Sequence, residues 1–188
     1  MPIPAPLVLP AWVTFWVVWL AGAFGNARTV RSAPGWDRLL LALAVVLGIL
    51  AWRGGLVGPP LRSATIDEPP LLEALGVALL YAGVAFAVWA RVTLGRFWSG
   101  MVTLKEGHQL VRHGPYAIVR NPIYTGILAM AFGSVLVLGE LSVLLWALAL
   151  LVTFLFKIRA EEKLLREAFG VEFDAYRRDV KSLVPYVY

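Results

Sequence analysis

The chain has 188 residues, 60% of them hydrophobic and only 15% charged, with 17 Lys and Arg against 12 Asp and Glu for a formal charge of +5. An average soluble domain is about 45–50% apolar and ~25% charged, so this apolar excess cannot be buried in one core of this size and a water-soluble domain is excluded. The chain has no cysteine, which excludes disulfides, Cys-ligated zinc, iron–sulfur clusters and thiol nucleophiles; its two histidines, His108 and His113, do not make a multi-histidine centre, so no metal is expected.

Five apolar stretches follow in chain order: Leu7 to Phe24, Trp36 to Trp52, Leu71 to Ala90, Pro122 to Leu138 and Leu141 to Phe156. A bilayer core about 30 Å thick needs ~20 helical residues, so the third is the strongest span; the second, uninterrupted only over Leu39 to Trp52, is the weakest. Leu7 to Ala23 resembles a signal peptide in its apolar run, but its first basic side chain is Arg28, so the charged leader is missing and a retained span is expected. Gly54-Gly55 and Gly58-Pro59-Pro60 mark an irregular loop, and Pro70, having no N–H to waste, suits the start of the third helix. Only Gly139 and Glu140 separate the last two spans, which predicts a tight helical hairpin.

The basic residues test this count. If all five stretches cross, fifteen of the seventeen Lys and Arg fall on one side and only Arg53 and Arg62 on the other. In a membrane protein such an excess sets orientation rather than implying a nucleic-acid partner. It predicts an external N-terminus, with the polar loop from Arg91 to Asn121 and the tail from Lys157 in the cytoplasm. The expected fold is thus all-α: a multi-pass membrane protein of about five transmembrane helices with amphipathic helices at its C-terminal end.

Those two cytoplasmic segments flank the hairpin, so folding brings their membrane-proximal ends together. In the first, Gly114-Pro115 signals a turn, while Asn121 is placed as N-cap of a helix with Pro122 at its first position. Arg120, Asn121 and Tyr124 then gather at a helix N-terminus, where free amides favour an anion. The ordinary alternative is interfacial anchoring, with Tyr116 and Tyr124 in an aromatic belt and Arg120 snorkelling to phosphates. In the tail, Leu164, Leu165, Ala168 and Phe169 form an apolar helical face, and Gly170 suits a C-cap that re-aims a second short helix bearing Phe173, Tyr176 and Val180. This predicts an amphipathic pair along the membrane. Glu161 and Glu162 lie about one turn beyond a hydrophobic span; their ordinary reading is pairing with Lys157, Arg159 or Arg166 on a solvated face. No G-x-G-x-x-G after a strand, Walker loop or Ser–His arrangement accompanies them.

Taken together, Gly107-His108-x-Leu110-Val111, Gly114-Pro115-Tyr116, Arg120-Asn121-Pro122-x-Tyr124-x-Gly126, the hairpin, Glu161-Glu162-x-x-Leu165 and Phe169-Gly170-x-x-Phe173-x-x-Tyr176 resemble the isoprenylcysteine carboxyl methyltransferase family. These are integral membrane enzymes using S-adenosylmethionine, similar to the phospholipid N-methyltransferases. The likeness covers residues 90 to 188. Together with the three apolar spans of 1–90, it gives a single membrane domain over 1–188 whose methyltransferase-like cofactor region is 91–188. It implies a cofactor pocket lined by His108, Leu110, Val111, Tyr116, Arg120, Asn121, Pro122, Tyr124, Glu161 and Glu162, with Arg120, Tyr124 and Glu162 as the catalytic set. The family's usual Arg-His-Pro is Arg120-Asn121-Pro122 here, so a titrating imidazole is lost and only a hydrogen-bonding role survives.

S-adenosylmethionine carries a sulfonium, an ammonium and a carboxylate, so a pocket holding both glutamates and Arg120 suits it. The implied acceptor is a lipophilic small molecule or prenylated substrate drawn from the membrane lipid. An isoprenylcysteine carboxylate comes first and a phospholipid amine second. A sterol-type reductase shares an Arg-x-Pro-x-Tyr block, but the 2′-phosphate of NADPH is opposed by the adjacent glutamates. A non-catalytic membrane scaffold would bind neither ligand.

Overall fold

The computed structural model describes residues 5–22, 28–32, 69–98, 103–105 and 109–187, together with residues 39, 42, 43, 46–48 and 107. The elements are α1 (Ala5–Ala21), β1 (Thr29–Ser32), α2 (Pro70–Leu94), β2 (Thr103–Lys105), α3 (Pro122–Leu138), α4 (Leu141–Phe169) and α5 (Val171–Asp179). Short 3-10 turns occupy Gly95–Phe97 and Gly114–Ala117. The architecture is helical; among the described residues the only strand pairing joins β1 antiparallel to β2, with one isolated parallel bridge between Val119 and Lys181.

Backbone chemistry sets the ends. Pro70 opens α2 after Pro69, as its missing N–H allows. Gly139, at φ 60°, ends α3 and donates its N–H to the Val135 carbonyl at 2.8 Å, and Glu140 then opens α4, giving the expected hairpin. Gly170, at φ 53°, turns the chain from α4 into α5.

Two helices, Pro70–Phe97 and Leu141–Phe169, are long and apolar enough to cross a membrane; α1 and α3 are apolar but shorter. The predicted second span and the Gly/Pro loop after it lie largely outside the described residues. Leu9, Val13 and Val17 on α1, Leu71, Leu75 and Val92 on α2, and Leu148, Val152 and Phe156 on α4 are exposed, a surface that suits hydrocarbon rather than water.

One expectation is corrected. The predicted fifth span and first amphipathic helix are a single 29-residue α4, about 43 Å long, that continues past Phe156 without a break. Lys157 to Phe169 contains no Gly or Pro, so a fall in hydropathy alone gives the backbone no reason to stop. Along the predicted apolar face Leu164 is buried, Leu165 and Phe169 are half-buried and Ala168 is exposed.

The tightest packing is between α2 and α3. Gly76 and Gly83 on α2 meet Gly126 and Gly133 on α3, each pair seven residues apart. A Cβ on Gly83 would stand 2.6 Å from the Gly126 carbonyl oxygen, and one on Gly126 2.8 Å from the Gly83 carbonyl oxygen. Backbone thus lies on backbone, with Leu80, Ala87 and Met130 buried around the contact. α1 covers this pair through Val8, Ala11 and Phe15, and Trp12 Nε1 donates to Ser134 Oγ at 3.1 Å. The Arg91 guanidinium, beside the Trp98 ring, donates to the Gly22 and Gly95 carbonyls and so ties the end of α1 to that of α2. A second apolar cluster, including Leu128, Leu150, Phe154, Ile158 and Leu183, joins α3, α4 and the C-terminal tail.

Since neither backbone can retreat, Gly126→Val should destabilise the protein by about 1–3 kcal/mol. Ala82→Val, on the exposed face of α2, should change stability by less than ~0.5 kcal/mol. Thermal unfolding in detergent micelles checks the pair; equal midpoints would contradict the close approach.

Candidate functional site

The polar centre forms where α4 runs past the start of α3. Because α4 stays helical beyond the apolar bundle, it carries Glu161 and Glu162 to the level of Arg120, Asn121 and Tyr124. Both glutamates reach partners on another segment of the chain. Tyr124 Oη donates to Glu161 Oε1 at 2.7 Å. Glu162 Oε1 accepts from Arg120 Nε at 3.0 Å and from Asn121 Nδ2 at 3.2 Å, and lies 2.9 Å from Arg120 NH2. The Arg120 and Glu162 side chains are only 8% and 14% exposed. An ion pair so enclosed costs several kcal/mol to break from one side, since the surviving charge stays buried.

The C-terminal tail closes over this pair. The Arg120 and Asn121 N–H groups donate to the Lys181 and Ser182 carbonyls at 2.8 and 3.0 Å. The Asn121 amide, at the N-cap, is one of those expected to attract an anion, and a tail carbonyl occupies it. Arg120 NH1 donates to the carbonyls of Arg177 and Val180. Asn121 sits at the N-cap of α3, but its side chain makes no cap bond; the amide turns to Glu162 and Ser182 instead. Arg120 is therefore a fastener of the tail rather than a snorkelling side chain.

The remaining predicted residues are distributed around this centre. Tyr116 is 8% exposed, and its carbonyl accepts from Tyr176 Oη at 2.6 Å, so it is not part of an exposed aromatic belt. The Tyr124 ring lies 4.6 Å from that of Phe154, inside the α3/α4 contact. Pro122 is buried, Leu110 is half-buried, and Val111 packs against the main core. His108 lies outside the described residues, and His113 is exposed. No group of His, Asp and Glu able to hold a metal occurs among the described residues.

Two residues beyond the expected set belong to the same neighbourhood. Lys157, one turn before Glu161, is only 4% exposed and places Nζ 6.0 Å from the Tyr124 ring centroid. It is the first cation after the apolar run of α4, a sequence signal that points to the membrane boundary but not to burial. Ser182, in the tail, hydrogen-bonds Asn121 and Glu162, and no local pattern announces it.

Burial raises Tyr116 well above the ordinary phenol range; the charges of Glu161 and Tyr176 add to this and Arg91 opposes it. Burial raises Tyr176 likewise, against Arg120 and Arg112 and with Glu162. Both hydroxyls stay protonated where an unfolded chain ionises its tyrosines, near pH 10. Their contribution to stability is intact below that pH and declines as the pH rises above it, because the unfolded state then releases protons that the folded state retains. In an alkaline titration the last tyrosine ionisations should coincide with loss of helicity; complete ionisation of a chain that stays folded would contradict this.

The comparisons with known proteins agree with this architecture. Residues 71–172 match the phospholipid methyltransferase family, which is more than half of the chain. A probable protein-S-isoprenylcysteine O-methyltransferase of Oryza sativa subsp. indica is 32% identical over 171 residues, covering 89% of this chain and 87% of its own length. Protein-S-isoprenylcysteine O-methyltransferase A of Arabidopsis thaliana is 31% identical over 149 residues, 78% of this chain and 74% of the relative. The solved structure of a eukaryotic intramembrane Ras methyltransferase, an isoprenylcysteine carboxyl methyltransferase, shares the fold with a TM-score of 0.57 at 23% identity. That match covers 84% of this chain and 55% of that one. A membrane-type apolar surface, an α3/α4 hairpin flanked by the two polar segments and relatives of nearly matching length lead to one conclusion: the chain belongs to the isoprenylcysteine carboxyl methyltransferase family of membrane methyltransferases.

Proposed function

We propose that this protein transfers a methyl group from S-adenosylmethionine to the carboxylate of a lipophilic acceptor of the isoprenylcysteine type, at a site built from the start of α3, the far half of α4 and the tail. The observation that carries the reading is that Glu161 and Glu162 hydrogen-bond Tyr124, Arg120 and Asn121 across 37 to 42 residues of sequence.

The donor set fits the cofactor. Glu161, held by Tyr124, offers a carboxylate to an ammonium or to ribose hydroxyls; Lys157 and Arg177 offer positive charge to a carboxylate; Tyr116, Leu110 and Val111 offer aromatic and apolar walls. S-adenosylmethionine, when bound, supplies an electrophilic methyl group on a sulfonium. The chain's own part is to position and to exclude water. Tyr124 orients Glu161, Arg120 and Asn121 orient Glu162, and Phe154 and Ile158 keep the floor of the site dry. A carboxylate acceptor needs no base, so alignment and desolvation supply the acceleration. A carboxylate acceptor is also what the relatives' names, protein-S-isoprenylcysteine O-methyltransferases, favour. The acceptor's apolar tail stays in the bilayer, where it has no desolvation to undergo.

The same reading has five spans, an external N-terminus and a cytoplasmic site, supported by the one-sided distribution of Lys and Arg. The match to the phospholipid methyltransferase family favours an amine acceptor as the second reading.

Calorimetry on the purified protein should find binding of S-adenosylhomocysteine and none of NADPH. Glu161→Gln should weaken that binding about tenfold or more, and Tyr124→Phe by less, as expected for a charged and a neutral hydrogen-bonding group. Label transferred from radioactive cofactor to a prenylcysteine analogue should be released by mild base, as an ester is. Base-stable label on a lipid amine would select the second reading, and absence of binding would remove both.

A further inference from the structure

We infer that Ser182 is a positioning residue of this site, fixing the Glu162 carboxylate and the Asn121 amide in their working arrangement. The inference rests on the cofactor reading proposed above. It concerns a stretch beyond residue 172, where the match to the phospholipid methyltransferase family ends.

The tail folds back along the start of α3. Val119 and Lys181 form a parallel bridge, the Asn121 N–H reaches the Ser182 carbonyl at 3.0 Å, and Thr125 Oγ1 donates to the Leu183 carbonyl at 2.8 Å. These bonds would hold almost any sequence, since they use tail carbonyls. Ser182 adds something its backbone does not. Its side chain is buried, with the residue 7% exposed, and its hydroxyl serves both ways: Oγ accepts from Asn121 Nδ2 at 3.0 Å and donates to Glu162 Oε1 at 3.3 Å.

A serine hydroxyl has one proton to give, and here it goes to a carboxylate. Glu162 Oε1 therefore has three donor side chains, from Arg120, Asn121 and Ser182, brought by two separate parts of the chain. Oε2 is left facing Arg177 Nε at 3.8 Å, beyond hydrogen-bond distance. With one oxygen fastened by three donors, the carboxylate cannot rotate freely, and its second oxygen keeps a fixed direction. For Asn121 the same hydroxyl is the nearest acceptor, at 3.0 Å against 3.2 Å to Glu162 Oε1 and 3.3 Å to the Ser182 carbonyl, so it draws the amide to its side of the site. Ser182 acts through these two groups and need not touch a ligand.

The alternative is that Ser182 merely helps the tail to pack. Thr125 separates the two roles, because its hydroxyl anchors the same tail at Leu183 without touching Asn121 or Glu162 side chains. The experiment is calorimetric titration of the purified full-length protein with S-adenosylhomocysteine, with thermal unfolding of each variant alongside. Ser182→Ala should weaken binding about tenfold, the scale of a lost hydrogen bond to a charged group. Ser182→Thr, which retains a hydroxyl, should stay within about threefold of the parent. Thr125→Ala should lower the unfolding temperature and leave affinity within about threefold. If Ser182→Ala fails to fold, Ser182→Cys, similar in shape but a weak hydrogen-bonder, takes its place with the same expectation. Parent-like affinity in the Ser182→Ala or Ser182→Cys protein, or equal weakening by Thr125→Ala, overturns the positioning role alone. Absence of binding by the parent protein overturns the cofactor reading and the inference with it.

Discussion

The Arg120–Glu162 pair is the constraint on which the rest of the site depends. Arg120 leads into α3, Glu162 lies deep in α4, and the same guanidinium reaches the Arg177 and Val180 carbonyls in the last part of the chain. Three segments far apart in sequence are thus tied at one enclosed point. A pair of this kind adds little net stability over a well-packed apolar substitute, but removing one partner is costly, so it selects one arrangement more than it strengthens it. That selectivity matters where an ordered polar site must exist beside an apolar bundle. Without the pair, a charged turn of α4 and a polar loop would each find better solvation apart.

The second requirement is a rigid element that crosses from the apolar region into the polar one. α4 meets it by continuing as one helix. Phe154 and Ile158 pack in the α3/α4 cluster, Lys157 is buried beside Tyr124, and Glu161 and Glu162 follow within the next turn. The glycine-lined α2/α3 contact sets the other wall, because backbone against backbone leaves α3 no latitude to slide. The carboxylates are carried by α4 and met by Tyr124 on α3 and by Arg120 and Asn121 just before it, with the irregular tail closing over them. A site of this construction gains precision from its helices and access from its tail.

Much of this was legible in the sequence where the signal is local. Pro70, Gly139 and Gly170 mark element boundaries because the missing N–H of proline and the positive φ of glycine constrain the backbone wherever they occur. The hairpin and the nearness of the two polar segments follow from those marks. The extent of α4 is not legible from hydropathy, because the change after Phe156 is one of side-chain polarity and not of backbone: residues 157–169 contain no Gly or Pro. Partner choice was not legible at all. A glutamate at the end of a span can pair along its helix or across 41 residues to Asn121, and residue type favours neither. The same ambiguity made an interfacial Tyr116 and a snorkelling Arg120 reasonable from composition, whereas both are enclosed. Ser182 left no trace because the tail's bonds run largely through carbonyls, which every residue possesses.

The most direct test of the account exposes the purified protein to ultraviolet light with methyl-labelled S-adenosylmethionine and maps the cross-linked residues by mass spectrometry. The account predicts label within residues 110–125, 157–166 or 176–183, competed away by S-adenosylhomocysteine. Competed label confined to α1, or to the first half of α2, would contradict it.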